Sequence, residues 1–180
     1  VALDADDLAP FERFPGDPLA GIALQRELEA RAFRLGGNRY AAPAQRLEDF
    51  LAARPSTRLG AIAASYQPGV HPADLDALLP PPIVEALREA LPVFARKLKG
   101  YDHPDAVLTG VETRTSSPVR IPRDEALESL NVKGLVPAGE GAGYAGGILS
   151  AGIDGIRAAE AVARQLLMEK VEKCLSLIHI

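Results

Sequence analysis

The stretch that decides the fold is VPAGEGAGYAGGILSAG, residues 136–152, which joins an apolar run to an alanine-rich segment. Five of the nine residues from Gly139 to Gly147 are glycine. Because glycine weakens a regular helix or strand, such a cluster predicts a backbone that another group approaches closely. The preceding VKGLVPAG predicts a short buried strand, and the segment from Gly147 to about Glu172 predicts a long helix with one broad apolar face.

The loop contains the pattern GxGxxG, from Gly141 to Gly146, after the predicted strand and before the predicted helix. A dinucleotide-binding fold would place a second strand and an acidic residue about 20 residues further on, to hold a ribose. Here those residues fall inside one helix, so Asp154 and Glu160 cannot take that role. With Arg157 and Arg164 they stand at spacings of three and four and predict a solvated face of alternating charge. The pattern alone therefore does not predict a nucleotide fold that begins here, and the missing GK[ST] excludes a P-loop.

The chemistry of the loop predicts a ligand all the same. Glycine backbone amides and a helix N-terminus suit a phosphate or another delocalised anion. Glu140 would repel a phosphate, so it is better suited to accept hydrogen bonds from the hydroxyls of a sugar or polyol. The two features together suit a ribityl chain next to an electron-accepting ring. The alternative is that small residues only let the helix lie close on a sheet, which we prefer for Gly152, Gly155 and the alanines after them.

Upstream of the loop the pattern predicts three helices and then strands. The first helix begins with Asp17 as N-cap and ends at Gly36, and the second covers about residues 44–53. The third follows the proline triplet at residues 80–82 and begins at Ile83, with Pro92 predicted to kink or divide it. Residues 58–80 are rich in proline and small residues and predict a loop. Residues 106–122 are rich in β-branched side chains and predict strands.

The composition excludes several classes of protein. The chain has 180 residues, a formal charge of −4 and hydrophobic residues at 47%. The acidic balance argues against a nucleic-acid or polybasic membrane role, and no apolar run approaches the ~20 residues that span a bilayer. One cysteine, Cys174, and three separated histidines predict no disulfide and no metal site. We therefore expect a cytoplasmic protein that binds neither nucleic acid nor membrane.

Both ends indicate a fragment of a longer protein. The chain opens without a methionine, and it closes on the apolar string LSLIHI after a charged segment. We interpret residues 173–180 as a tail whose last six residues are a cloning or sequencing scar, and exclude them from the fold. The alternative is a short C-terminal strand.

The closing segment SLNVKGLVPAGEGAGYAGGILSAGIDGIRAAEAV resembles that of FAD-dependent dehydrogenases of the glutathione-reductase-like superfamily, which have two dinucleotide-binding domains. It is most similar to a bacterial group described as NAD(P)/FAD-dependent oxidoreductases. The stretches DPLAGIALQRELEARAF, YAAPAQRLEDFL and TGVETRTSSPVRI carry the resemblance upstream, from about Asp17 to Val162. The pair TGVETRTSSPVRI and GLVPAGEGAGYAGGI is its most specific part.

The resemblance implies an α/β fold, with an α+β inserted part, that forms the C-terminal portion of a Rossmann-like flavoprotein ending in strand, glycine-rich loop and long helix. It implies that residues 1–105 belong to an inserted substrate domain and that residues 106–172 return to the FAD-binding domain. The first βαβ unit, which holds the ADP half of FAD, would lie upstream of Val1. In this superfamily a Gly-Asp pair delivers its acid to the ribityl hydroxyls, and Gly139-Glu140 stands at that place here.

The function implied is hydride transfer through bound FAD, with NAD(P)H as a candidate electron partner and an unknown small-molecule substrate. The oligomeric state and the catalytic residues stay open. Tyr144 could shield the flavin ring or be a packing residue, and Arg114 or Arg120 could hold a carboxylate or phosphate, although we favour a surface role for Arg120. Two alternatives are a non-catalytic flavin-fold scaffold and a flavin-dependent RNA-modifying enzyme. The expected cofactor-binding residues are Gly139, Glu140, Gly141, Ala142, Gly143, Tyr144, Ala145, Gly146, Gly147, Ile148 and Arg114.

Overall fold

The computed structural model of the chain describes residue 3 and residues 5–176, apart from the side chains of Ala5, Glu169 and residues 172–176. Four of the six residues interpreted as a scar, 177–180, lie outside the described residues. The chain forms two compact units, Val1–Thr113 and Arg114–Ile180. The domain roles expected from the sequence, with their boundary at residues 105 and 106, concern function and stay predictions.

The first unit combines a small sheet with helices. Its three strands form a sheet in the order β2-β1-β3, in which β1 runs parallel to β2 and antiparallel to β3. The strand order requires two long connections, because β1 pairs with partners that follow it at residues 70 and 107. The described elements are α1 (Ala5–Leu8), α2 (Ala20–Leu35), β1 (Ala42–Arg46), α3 (Leu47–Leu51), β2 (Val70–Pro72), α4 (Pro81–Lys97) and β3 (Val107–Thr109).

The second predicted helix, expected at residues 44–53, is wrong in its first half, where the chain forms strand β1. Only its second half is helical, as α3, while Ala42–Arg46 is the central strand of the sheet. Alanine, glutamine and arginine favour helices, so local preference predicts the wrong element. The strand is imposed by partners that are distant in sequence, since Ala44 is paired with Pro72 on one side and Thr109 on the other. Two strand partners outweigh a modest intrinsic preference.

A hydrophobic core joins the sheet to the helices that cover it. Helix α4 contributes Val84 and Leu91, and α2 contributes Ala32. The core is completed by Leu47, Phe50, Leu75 and Leu78. At ~25 cal/mol for each Å² of apolar surface removed from water, each buried leucine or phenylalanine stabilises the unit by roughly 1.5–3 kcal/mol. The core therefore lies in the first unit, between the sheet and α4.

The helix predicted from Asp17 is present but begins later. Helix α2 starts at Ala20 and ends before Gly36, whose amide donates to the carbonyl of Ala32. Asp17 is buried and caps the turn that leads into the helix, where its Oδ1 accepts the Leu19 amide at 2.9 Å. Arg13 donates to the same carboxylate at 2.6 Å. Because the ion pair holds Asp17 in the entry turn, the helix cannot start at Pro18.

The other upstream predictions are partly met. Helix α4 is continuous through Pro92, so the proline does not divide it in two. The predicted loop at residues 58–80 contains the short β2 and a 3₁₀ turn at Leu75–Ala77. The predicted strands at 106–122 reduce to β3, since β1 offers only five residues for pairing and Thr113 instead bonds to helix α2 through Gln25 and Glu29.

The second unit consists of turns and one long helix, α5 (Ile148–Ser176). The strand predicted at VKGLVPAG is absent: residues 132–138 form no β-ladder in the described chain. A strand needs a neighbouring strand, and here the main-chain carbonyls bond to a turn and a side chain instead: Leu135 accepts the Ser129 amide and Pro137 accepts the Arg123 guanidinium. The unit is organised instead by side chains that hold the turns to α5.

Helix α5 has one face packed within its unit and one bare apolar face. Asp154 and Ala158 are buried, whereas Ile148 is 93% and Leu149 is 83% exposed. The bare face continues along the helix with Ile156, Leu166 and Leu167. A Cβ added at Gly152 or Gly155 would meet no described atom within 4 Å, and the close packing of the helix body on a sheet stays a prediction. In the described ranges, no helix has the length and apolarity that crossing a membrane requires.

Candidate functional site

The glycine-rich loop is a tight structure with two left-handed residues. Gly139 has φ +71° and Gly143 has φ +81°, and a single 3₁₀ turn, Glu140–Ala142, lies between them. The Gly143 amide donates to the carbonyl of Glu140, and the Tyr144 amide donates to the carbonyl of Gly139. Residues with a Cβ rarely adopt such φ values, so the loop needs glycine at both positions.

The glycines of the loop have different reasons to be there. A Cβ at Gly143 would lie 2.7 Å from the carbonyl oxygen of Val119 and 2.9 Å from Cα of Arg120. Gly143 therefore has a packing reason within its own unit, and its predicted place in the cofactor site stays a prediction. At Gly141 and Gly146 a Cβ would meet no atom within 4 Å, and neither has a positive φ. Those two positions are the ones where the missing side chain leaves the backbone open.

A buried ion pair fastens the loop to helix α5. The Arg123 guanidinium donates to both carboxylate oxygens of Asp154, at 2.9 and 2.6 Å, and to the carbonyl of Pro137 at 2.7 Å. The Gly139 amide donates to Oδ2 of the same Asp154 at 2.8 Å. These hydrogen bonds, above all those from Arg123, lower the pKa of Asp154 to about 2. Asp154 was predicted on a solvated face, and this is wrong, because its carboxylate organises the loop.

The Tyr144 side chain makes hydrogen bonds and ring contacts within its own unit. Its hydroxyl donates to the carbonyl of Ile121 at 3.0 Å and accepts the Arg123 amide at 3.0 Å. Its ring lies 3.7 Å from the Arg123 guanidinium carbon and 4.3 Å from that of Arg120. Such contacts between arginine and an aromatic ring stabilise by about 0.5–2 kcal/mol. Of the two roles considered for Tyr144, the structure supports packing.

Glu140 is the half-buried carboxylate of the loop. Among the described residues, its side chain has no hydrogen-bond partner, in contrast to Asp154. The backbone amides of Ala145, Gly146 and Gly147 likewise have no acceptor among the described residues. The first turn of α5 adds further unpaired amides. The start of the loop thus has an acceptor without a donor, the Glu140 carboxylate, and its end has backbone amide donors without acceptors.

The remaining predicted site residues have simple placements. Ala142 is buried under the loop, where its carbonyl accepts the Ile121 amide, and Ser117 donates to the carbonyl of Gly141 at 3.2 Å. Ile148, the first residue of α5, is exposed. Arg114 is exposed at the start of the second unit. Residues 139–147 thus form one loop that leads into α5 at Ile148.

Arg123 and Asp154 are the residues that sequence reasoning missed. Arg123 lies in PVRIPRDEAL, where nothing distinguishes it from its neighbours, and Asp154 lies among helix charges at spacings of three and four. One clue was available in the sequence. Asp154 has no basic residue three or four positions before it, and helical spacing places it on the side of α5 opposite the apolar face. A buried partner was therefore an alternative to a solvated role.

Other parts of the second unit offer less. A cavity of about 440 Å³ lies between the turn at residues 125–127 and α5, and its lining contains both Arg157 and Glu160 but none of the loop residues. Within the described ranges, no three histidine, cysteine or acidic side chains are placed to share a metal ion. The glycine-rich loop is therefore the candidate site.

Comparison with known proteins identifies the family. Residues 5–115 match the family described as "FAD-dependent protein, C-terminal domain-like". The chain belongs to this family. The match covers the first unit from residue 5 and ends before the glycine-rich loop, so it does not assign any residue of the loop.

A longer protein is similar to most of the chain. A protein of Clostridium beijerinckii, described as an uncharacterized protein, is 50% identical over 160 residues. The match covers 88% of this chain and 30% of the relative. The chain therefore spans less than a third of the length of the curated relative that it matches.

Proposed function

We propose that this chain is part of an FAD-dependent oxidoreductase and that the loop at residues 139–148 binds the flavin half of its cofactor. The observation that carries the proposal is the unpartnered Glu140 carboxylate next to a glycine backbone and a helix N-terminus, in a member of an FAD-dependent family. FAD has a polyhydroxyl chain, an electron-accepting ring and a pyrophosphate. The loop supplies one group suited to each.

The residues present fit this cofactor by their donor and acceptor chemistry. Glu140 is an acceptor without a donor, and the ribityl chain offers hydroxyl donors. The amides of residues 145–147 are donors without acceptors, and they suit an anion or a ring carbonyl. Open space at Gly141 and Gly146 lets a flat ring come close to the main chain. Arg114 remains a candidate for a phosphate contact.

Within the proposed reaction the chain would act through binding and electrostatics. Bound FAD supplies the acceptor for a hydride, with NAD(P)H or a small molecule as donor. Helix α5 carries about half a positive charge at Ile148, which stabilises negative charge in front of it. Glu140 orients the polyol by hydrogen bonds. No acid or base of this chain is assigned to the reaction.

The proposal is tested on the full-length polypeptide that contains this chain. Glu140→Ala removes one or two charge-assisted hydrogen bonds of about 1.5–3 kcal/mol each, so the Kd for FAD should rise roughly ten- to a thousand-fold. The Kd is measured by quenching of flavin fluorescence. Glu160→Gln removes the same charge from an exposed position of α5 and should leave the Kd within about twofold.

Two results would count against the proposal in different ways. An unchanged Kd in Glu140→Ala would remove the loop from the flavin site. Tight FAD binding in the wild type without reduction of the bound flavin by NADH or NADPH, or by any substrate tried, would favour a non-catalytic flavin scaffold over an oxidoreductase.

A further inference from the structure

The ion pair of Arg123 and Asp154 does more than join two elements. Both side chains are nearly buried, with exposed fractions of 10% and 12%. Three separate segments meet at the pair: the turn that carries Arg123, the backbone at Pro137 and Gly139, and the second turn of α5. Each of the two Asp154 oxygens has at least one donor, so the carboxylate is satisfied within the unit.

The point of attachment is the residue before Glu140. The Gly139 amide is held at 2.8 Å from Asp154, and Gly139 has ψ −159° with φ +71°. Those two angles set the direction in which the chain enters the turn at Glu140–Ala142. A displacement of the Gly139 amide would therefore rotate the Glu140 Cα–Cβ bond and move its carboxylate, while the helix N-terminus stayed in place.

Tyr144 fixes the other end of the same loop to the same arginine. Its ring packs on the Arg123 guanidinium, and its hydroxyl accepts the Arg123 backbone amide. One arginine thus touches the loop's entry through Asp154 and its exit through Tyr144. Stability alone does not demand this arrangement, because a buried ion pair contributes little more than apolar side chains of similar volume would.

We propose that Arg123 and Asp154 are positioning residues that hold Gly139 so that the Glu140 carboxylate meets the hydroxyls of the flavin. This inference rests on the proposed function, since it requires a flavin at the loop. It goes beyond it in assigning a role to two residues that touch no cofactor. Their effect on FAD must pass through Glu140.

A double-mutant cycle on the full-length polypeptide tests that dependence. The Kd for FAD is measured for the wild type, Asp154→Asn, Glu140→Ala and the double variant, and Glu160→Gln serves as the charge control on the same helix. Asparagine keeps the shape but places an NH₂ group opposite a donor, which breaks the bidentate pair. We expect Asp154→Asn to raise the Kd about tenfold in the wild-type background and less than about twofold in the Glu140→Ala background.

The outcomes separate the inference from the function on which it rests. An equal loss of affinity in both backgrounds would show that the pair acts through general stability, and the inference would fall. Loss of FAD in Glu140→Ala without loss in Asp154→Asn would also overturn it and leave the proposed function standing. No effect of Glu140→Ala would remove both.

A second variant covers the case in which Asp154→Asn does not fold. Arg123→Lys keeps the charge but loses the two-pronged contact, so the unit keeps its ion pair while the Asp154 carboxylate that accepts the Gly139 amide is no longer held in one orientation. It should show the same dependence on Glu140, with a melting temperature of the apoprotein close to that of the wild type. A raised Kd that persists in the Glu140→Ala background would again contradict the proposal.

Discussion

Gly141 and Gly143 stand two residues apart in the loop and have different surroundings. Gly143→Ala forces a side chain into a left-handed backbone and against the Val119 carbonyl, so it should lower the free energy of unfolding by about 2 kcal/mol. Gly141→Ala meets open space and should change it by less than about 0.5 kcal/mol. Urea denaturation of the two variants measures both values. Equal destabilisation would mean that Gly141 is also packed.

Acid should weaken the second unit through Asp154. Its folded pKa is lowered to about 2 from the ordinary 3.8, because Arg123 and the Gly139 amide donate to the charged form. The unfolded state therefore binds the proton first. The stabilisation is complete above about pH 4 and is lost as the pH falls through about 2. Asp17, Asp49 and Asp105 also have lowered pKa values, through Arg13, Ser56 and the Ala61 amide respectively, and add losses of the same sign.

The measurement compares melting temperatures between pH 5 and pH 2. The wild type should lose more stability over this interval than Asp154→Asn, which has no carboxyl to protonate at that position. Glu160→Gln should follow the wild type. If Asp154→Asn and the wild type lost stability in parallel, the ion pair would contribute nothing to acid sensitivity.

In helix α4, Pro92 is an exposed proline inside a continuous helix. It offers no amide to the carbonyl of Arg88, and its ring crowds the preceding turn. Pro92→Ala restores the hydrogen bond and buries nothing new, so it should raise the free energy of unfolding by about 1–3 kcal/mol. Denaturant titration measures the gain, with Val93→Ala at the next exposed position as the control. A loss of stability would show that the proline supports the end of α4.

The elements that the sequence predicted well are those whose cause is local. Helices α2, α4 and α5 follow from apolar periodicity and from glycine or proline at their ends, and the glycine-rich loop follows from composition. Strand β1 could not be predicted, because its pairing partners lie 28 to 65 residues further along the chain. The same holds for the site: Glu140 lies in the loop, whereas the partnership of Arg123 and Asp154 joins positions 31 residues apart.

In the 180-residue chain, the bare apolar face of α5 is the surface that most favours association with other molecules. Large aliphatic side chains at Ile148, Leu149 and Ile156 are exposed in a row, and contiguous apolar patches of this kind associate in water. The isolated chain should therefore form dimers or larger species as its concentration rises. Sedimentation velocity measures this.

A matched variant tells the bare face from other causes. Leu149→Lys together with Ile156→Lys should keep the chain monomeric at the same concentrations without lowering its melting temperature, since neither side chain is buried in its own unit. Association that persisted in this variant would arise from another surface.

The order of strands in the first unit also affects how the chain folds while it is being synthesised. A ribosome makes β1 and then β2 long before β3, which begins at Val107. At about 5–20 residues per second, the roughly 35 residues between Pro72 and Val107 take about 2–7 seconds to synthesise. Throughout that interval the nascent β1 has one edge without a partner and open to other chains. The newborn protein therefore passes through a period of several seconds in which a holding chaperone would improve its yield.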